Sequence, residues 1–239
     1  MKKSNLSVLL FWALCAGVIC SCSKDDAEEN EPKVEQVADS GITDGHAWVN
    51  LGLPSGTLWA TCNVGASKPE EYGSYFAWGE TQPKNEYSWK NYKFISGSKL
   101  TKYCVEDDDI YFWDDETDSY CDLNCVVDDK IELEPADDAA TANWGNNWQM
   151  PSTFQIQELL TYCHTTKRKQ NGVDGVRIKS YINGNSIFFP GEECYWTRML
   201  SDRSNGRALN CRIGDKKGDD VEFEDSRWEG MLVRPVRKK

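Results

Sequence analysis

The order of segments along this chain predicts an α+β fold. Three observations carry that expectation: a hairpin pattern at Ala47–Cys62, two short helical patterns between Asp137 and Cys163, and a run of short strands from Val176 to Val236.

In the hairpin, Trp48, Leu51 and Leu53 precede Pro54-Ser55-Gly56, and Leu58-Trp59-Ala60-Thr61-Cys62 follows it. Proline and glycine there supply the backbone angles of a turn. Pro69 to Gly73 is expected as a short helical turn, and Tyr75-Phe76-Ala77-Trp78 as an aromatic core strand. Asp137 and Asp138 open the first helical pattern, where acids meet the positive end of the dipole. Ser152-Thr153-Phe154-Gln155 has the form of a capping box, in which serine and glutamine satisfy each other's free amides. Behind it Ile156, Leu159, Leu160 and Cys163 stand at i, i+3, i+4 and i+7, one apolar face. Val176-Arg177-Ile178 and Ser186-Ile187-Phe188-Phe189 flank Asn183-Gly184-Asn185, a strong hairpin turn. Further strands are expected at Cys194–Leu200, Arg207–Ile213, Val221–Phe223 and Met231–Val236.

Ahead of these elements the chain reads as an export signal. Lys2 and Lys3 precede an apolar run of about 14 residues, Leu6 to Ile19, shorter than the roughly 20 a membrane span needs. Ile19-Cys20-Ser21-Cys22 resembles a lipobox, with residues 1–21 as signal peptide and Cys22 as the lipidated residue. Placing the acyl site at Cys20 would put Gly17 at the aliphatic position, so Cys22 fits better. Ser23-Lys24-Asp25-Asp26-Ala27-Glu28-Glu29 resembles the acidic export tag of Bacteroidetes surface lipoproteins. Residues 22–45 then form an acidic, polar tether too poor in apolar side chains to fold, and 46–239 a single domain. The expected address is the outer membrane, facing outward.

Removing Met1–Ser21 leaves 25 basic against 39 acidic residues, a net charge of −14. Such a chain repels nucleic-acid phosphates, so nucleic acid is not expected as a partner. Residues 106–138 alone hold 15 acids and 1 base, and the acidic insert 106–134 lies within them. Tyr111, Trp113 and Tyr120 are embedded there, and aromatics among acids suit a glycan, whose faces they stack on and whose hydroxyls the carboxylates bond. Clustered Asp107, Asp109 and Asp114 suggest a hard cation, with calcium as the candidate cofactor. An EF-hand loop from Asp114 fails, because Ser119 and Cys125 stand where glycine and glutamate are needed.

Seven cysteines follow Cys22, so at least one thiol stays unbridged or bridges another chain. Cys104, Cys121 and Cys125 lack a nearby histidine or second paired motif, which argues against zinc. His46 and His164 are the only histidines, and neither neighbours a nucleophile motif. No catalytic residues are assigned and the chain is not expected to be an enzyme.

Several words together resemble the Fibrobacter succinogenes major paralogous (FISUMP) domain, common in Bacteroidetes surface lipoproteins. They are Trp48 to Ala60, Tyr75-Phe76-Ala77-Trp78-Gly79-Glu80, Asp137-Asp138-Ala139-Ala140, Asn143-Trp144-Gly145, Trp148-Gln149-Met150-Pro151-Ser152, Asn183 to Phe188 and Val233-Arg234-Pro235-Val236. The resemblance implies a C-type lectin-like fold, two helices on a mixed, mostly antiparallel sheet with the domain's ends close together. It also implies that Trp48, Trp59, Trp78, Trp144 and Trp148 are core. Two departures stand out: the loop after Phe189-Pro190 is trimmed, and the region Glu106–Glu134 is expanded and acidic. Formylglycine-generating enzymes are distantly similar in fold, but their active cysteines find no matching positions here. The expected function is a surface-held, non-catalytic binding domain for a glycan or protein, with a structural or adhesive subunit as the alternative and an accessory enzyme as the weaker one.

Overall fold

The computed structural model describes residues 39–106, 110–114, 117–214 and 223–237. The signal peptide and lipid site at Cys22, the candidate cation ligands Asp107 and Asp109, and the side chains of Tyr111 and Trp113 lie outside the described residues.

Strands β1 (Ser40–Thr43), β2 (His46–Asn50) and β3 (Leu58–Ala60) come first. A 3-10 turn at Trp89–Asn91 leads to β4 (Ile95–Ser96), β5 (Lys99–Leu100), β6 (Ile110–Asp114) and β7 (Ser119–Cys125). Helix α1 (Ala139–Trp144), β8 (Trp148–Gln149) and helix α2 (Thr153–Tyr162) form the middle. The rest is strand: β9 (Cys163–Gln170), β10 (Val173–Ser180), β11 (Ser186–Pro190), β12 (Cys194–Leu200), β13 (Arg207–Arg212), β14 (Phe223–Ser226) and β15 (Val236–Arg237).

These strands make four small sheets, in the orders β1-β2-β3-β15-β8, β11-β10-β9, β12-β13-β14 and β4-β5-β7-β6. Of the described residues 39% are strand and 10% helix. That overturns the expected α+β, C-type lectin-like architecture of two helices packed on a sheet: the domain is mostly β. The reason is length. The helices have six and ten residues, so they bury little more than Ala139, Ala140, Trp144, Ile156 and Leu159 and cannot cover a sheet. The acidic insert, moreover, supplies β6 and β7 to a separate small sheet with β4 and β5.

Local chemistry explains the elements that match expectation. Ser152 Oγ accepts from Gln155 N, and Gln155 Oε1 accepts from Ser152 N at 2.9 Å, so both halves of the capping box form. Asp138 caps α1 by accepting from Thr141 N at 2.8 Å. Gly184, at φ 78°, turns β10 into β11 and sets Ile178 opposite Ile187. Other elements shift. Pro69–Gly73 forms turns rather than helix, and Tyr75–Trp78 pairs only at Phe76, with Met231. β1 lies within the stretch read as tether, and it pairs with β2 from Ser40 to Thr43. β15 lies between β3 and β8, which brings the two ends of the domain into one sheet.

Two apolar cores result. The larger gathers Trp48, Trp78, Trp144, Trp148, Trp196 and Trp228; the smaller gathers Trp59, Ile156, Leu159, Ile178, Phe189 and Tyr195. All five tryptophans expected as core are buried. Each core also encloses an arginine, Arg227 or Arg234, satisfied by backbone carbonyls and aromatic rings.

Candidate functional site

The acidic insert is fastened to the domain at three points. A disulfide joins Cys104 to Cys125, while among the described residues Cys62, Cys121, Cys163, Cys194 and Cys211 form no disulfide. Asp128 accepts from the backbone of Tyr103 and Cys104 at 3.1 and 2.9 Å. Asn205 then clamps Val105 in both directions, accepting from its N–H and donating to its carbonyl, each at 2.9 Å. Pairing does the rest. β5 runs parallel to β7, with Lys99 opposite Asn124, and β6 pairs antiparallel with β7. Ile110, buried in β6, seats against Gly206; a Cβ there would come within 2.6 Å of the isoleucine. Only glycine leaves room for this docking.

Between insert and body lies a cleft of about 600 Å³. Its apolar lining is a chain of rings: Trp89 meets Phe112 at 5.2 Å, edge on, and Phe112 meets Trp228 at 4.9 Å. Tyr87 adds a further ring, held by its hydroxyl donating to the Tyr75 carbonyl at 2.5 Å. Gly230 gives that ring its space, since a Cβ there would lie 2.8 Å from it. Tyr120 also lines the cleft and is 74% exposed.

Charges of both signs surround the rings. Glu86, Asp114 and Glu229 face Lys90 and Arg207, with Ser88, Ser204 and Ser226 between. Asp114 is buried and engaged: Thr117 Oγ1 donates to it at 3.0 Å, Cys121 Sγ at 3.9 Å, and Lys90 Nζ stands 3.7 Å away. A surface of rings and mixed charges suits a neutral polyhydroxylated ligand, which stacks and both donates and accepts.

Of the residues singled out from sequence, the structure brings Tyr120 and Asp114 to the same cleft. Tyr111 and Trp113 belong to β6, where Trp113 is paired with Tyr120 and Tyr111 with Asp122. Among the described residues no three His, Cys, Asp or Glu side chains converge as metal ligands. Asp114 is the one candidate calcium ligand whose side chain is described, and its contacts include a hydroxyl, a thiol and an ammonium. His46 stacks on Trp144 at 3.8 Å; burial pulls its pKa down, and the charge of Asp44 opposes this. His164 lies against Tyr181 at 5.2 Å.

Sequence reasoning missed Tyr87, Trp89, Phe112 and Trp228, four of the cleft's five rings. One signal was present: Trp89 and Trp228 are tryptophans outside every family-like word, in the aromatic run Tyr87-Ser88-Trp89 and near the C-terminus. No family model, no curated protein and no solved structure matches this chain.

Proposed function

We propose that this chain is an outer-membrane lipoprotein, lipidated at Cys22 and displayed outward, whose non-catalytic domain binds a glycan in the cleft between the acidic insert and the β13–β14 edge. The observation that carries the binding reading is Tyr120, 74% exposed beside a cleft lined with Tyr87, Trp89, Phe112 and Trp228. A ring with one face in water and a polar phenol is the feature sugar faces stack on. The lipobox, the acidic tag and the FISUMP-like words support the location and family.

The test is binding of the full chain, in neutral detergent, to a glycan array with and without EDTA. Tyr120→Ala is expected to weaken binding by about three- to tenfold, the worth of one stacked ring, with thermal stability unchanged. Loss of binding in EDTA would place a cation in the site. No bound glycan, together with a protein captured in pull-down, would overturn this reading. Location is checked separately: Cys22→Ala should abolish labelling by an alkynyl fatty acid, and surface protease should remove the wild-type domain from intact cells.

One observation favours the structural or adhesive alternative. β1 is an edge strand, and its Ile42 is 74% exposed. Unpaired edge backbone with an apolar side chain can template another chain.

A further inference from the structure

On a chain of formal charge −12, the outer face of the β11-β10-β9 sheet is basic. Strand alternation gives this sheet a core side and an outer side. Thr165, Val176, Ile178, Ile187 and Phe189 are buried on the core side, while Arg168 and Arg177 are exposed on the other. In register, Arg168 faces Gly175 and Arg177 faces both Thr166 and Phe188. The two arginines are thus diagonal neighbours on one face, with backbones about 7–8 Å apart. Lys179 follows on the same face, opposite His164.

A cleft of about 430 Å³ opens over these arginines, with Phe188 at its floor and Thr61 and Pro69 on the far wall. The floor is built around a glycine: a Cβ on Gly175 would come within 2.5 Å of the Phe188 ring. The far wall is pinned in place. Glu70, beside Pro69, accepts from the side-chain amides of Gln170 at 2.8 Å and Asn171 at 2.6 Å, which ties its loop to the tip of the β9–β10 hairpin. Asp174 and Glu192 pair with Lys169 and Lys167, at 3.3 and 2.6 Å. Among the described residues Arg168, Arg177 and Lys179 form no ion pair; the Nε of Arg177 donates to Ser186 Oγ at 3.1 Å.

A second observation points the same way. Arg234 is fully buried directly behind this cleft. Its Nη2 donates to the carbonyl of Phe188 at 3.0 Å, and its Nη1 to those of Thr61 and Ala60 at 3.3 Å each. Both Phe188 and Thr61 line the cleft. No carboxylate pairs with Arg234 among the described residues; Asn63 Oδ1 and the Phe189 ring complete its shell. A guanidinium held in low dielectric without a counter-ion projects positive potential through the wall it supports.

We propose that this cleft binds sulfate esters of an anionic polysaccharide, with Arg168 and Arg177 gripping the oxyanion and Arg234 supplying field from behind. Planar guanidinium groups match such oxygens in paired hydrogen bonds. The overall negative charge selects the form of the ligand: a thin chain meets only the basic cleft, whereas an anionic membrane surface would meet the acidic remainder too. This site is separate from the Tyr120 cleft and does not depend on it.

The experiment is fluorescence polarisation of a labelled sulfated hexasaccharide with the full chain in neutral detergent, alongside its desulfated counterpart and anionic phospholipid vesicles. The sulfated probe should bind, weaken as salt rises, and outcompete the desulfated one. Arg168→Ala and Arg177→Ala should each weaken binding about tenfold, the worth of a charge-assisted pair. Arg177→Lys should recover part of that loss, and exposed Lys99→Ala, on the insert sheet, should change affinity by less than about twofold. Tyr120→Ala should leave this binding unchanged, so either site can fail alone. The proposal is overturned if the wild type ignores sulfated probe, if it binds vesicles but not the hexasaccharide, or if Lys99→Ala weakens binding as much as the arginine variants.

Discussion

The Nε of Arg227 donates to the hydroxyl of Tyr92 at 3.0 Å, and both side chains are buried in the larger core. The tyrosine hydroxyl passes the bond on, donating to the Trp78 carbonyl at 2.6 Å. Burial pushes the Tyr92 pKa up to about 12, against the opposing charge of Arg227, so the phenol stays protonated and able to donate. The remaining guanidinium nitrogens donate to the carbonyls of Lys102, Tyr103 and Asn205, at 2.9 to 3.1 Å. Trp78 lies 4.9 Å from the guanidinium carbon, ring centroid to Cζ. One side chain therefore holds together the start of the insert, the loop before β13 and the core beneath the Tyr120 cleft. Arg227→Met keeps bulk but takes away the donor to the Tyr92 hydroxyl, which keeps its bond to Trp78, and the donors to the carbonyls of Lys102, Tyr103 and Asn205. Urea unfolding is expected to show a loss of about 3 kcal/mol or more. A loss below about 1 kcal/mol would refute the role given to this network.

Asp137 gives the domain an acid limb. Its carboxylate accepts from Lys93 and Lys102 at 2.5 Å each and from the Tyr103 hydroxyl at 2.6 Å. Burial works to raise its pKa, but these three bonds outweigh it and hold the carboxyl below its ordinary 3.8. Because the folded state ionises at lower pH than the unfolded one, the contribution is complete above 3.8 and disappears as pH falls through the folded value. Lys102 moves the opposite way: burial lowers its pKa, yet bonds to Asp137 and Glu134 raise it above 10.5, so its share is lost only in strong alkali. Melting temperature against pH is the measurement. Asp137→Asn should be less stable than wild type at neutral pH, with the difference narrowing in acid. A constant difference down to the lowest pH would sink this account.

Asp138 uses its two oxygens for two different backbones. Oδ1 caps α1 through Thr141 N, and Oδ2 accepts from Met150 N, both at 2.8 Å. Asp138→Asn can keep the cap, but it must then turn its amide donor toward the buried Met150 N–H or leave that group unpaired. A loss of about 1–3 kcal/mol follows from one unsatisfied buried donor. Asp138→Ala loses the cap as well and should cost about 1 kcal/mol more. Equal stability of Asn and wild type would show that the Met150 bond contributes nothing.

The Cys104–Cys125 bridge closes a loop of 21 residues over the root of the insert. Opening it should lower stability by about 3 kcal/mol, as loop-closure entropy suggests. The paired Cys104→Ser, Cys125→Ser variant is expected to show faster amide exchange in β6 and β7 than in β10 and β11, whose pairing lies in another sheet. Uniformly faster exchange would mean the bridge supports the whole domain.

How much of this was legible in the sequence varies by range. Ser152 and Gln155 announce α2 because both halves of their cap lie within one helical turn. Asn183-Gly184-Asn185 announces the β10–β11 hairpin because glycine alone takes φ 78° without strain. Tyr120 and Asp114 were found by composition, as an aromatic and an acid in a charge run. Their cleft partners Tyr87, Trp89 and Trp228 were not, because ring contacts such as Trp89–Phe112 and Phe112–Trp228 join segments far apart in the chain and leave no local pattern.

The sequence by itself determined the two helices, the β2–β3 and β10–β11 hairpins, the tryptophans that form the core and the acidic stretch that was to become β6 and β7. Each rests on neighbours a few residues apart or on apolar burial, and both are written in residue order. Tertiary structure alone decided the fold class, since periodicity reports that two helices exist but not that six and ten residues are too few to cover a sheet. It alone decided that the insert's β6 and β7 join β4 and β5 in one sheet, that Gly206 admits Ile110, and that Arg227 and Arg234 are buried. A buried guanidinium is stable only where carbonyls from distant segments converge on it, and that convergence exists only once the chain has folded.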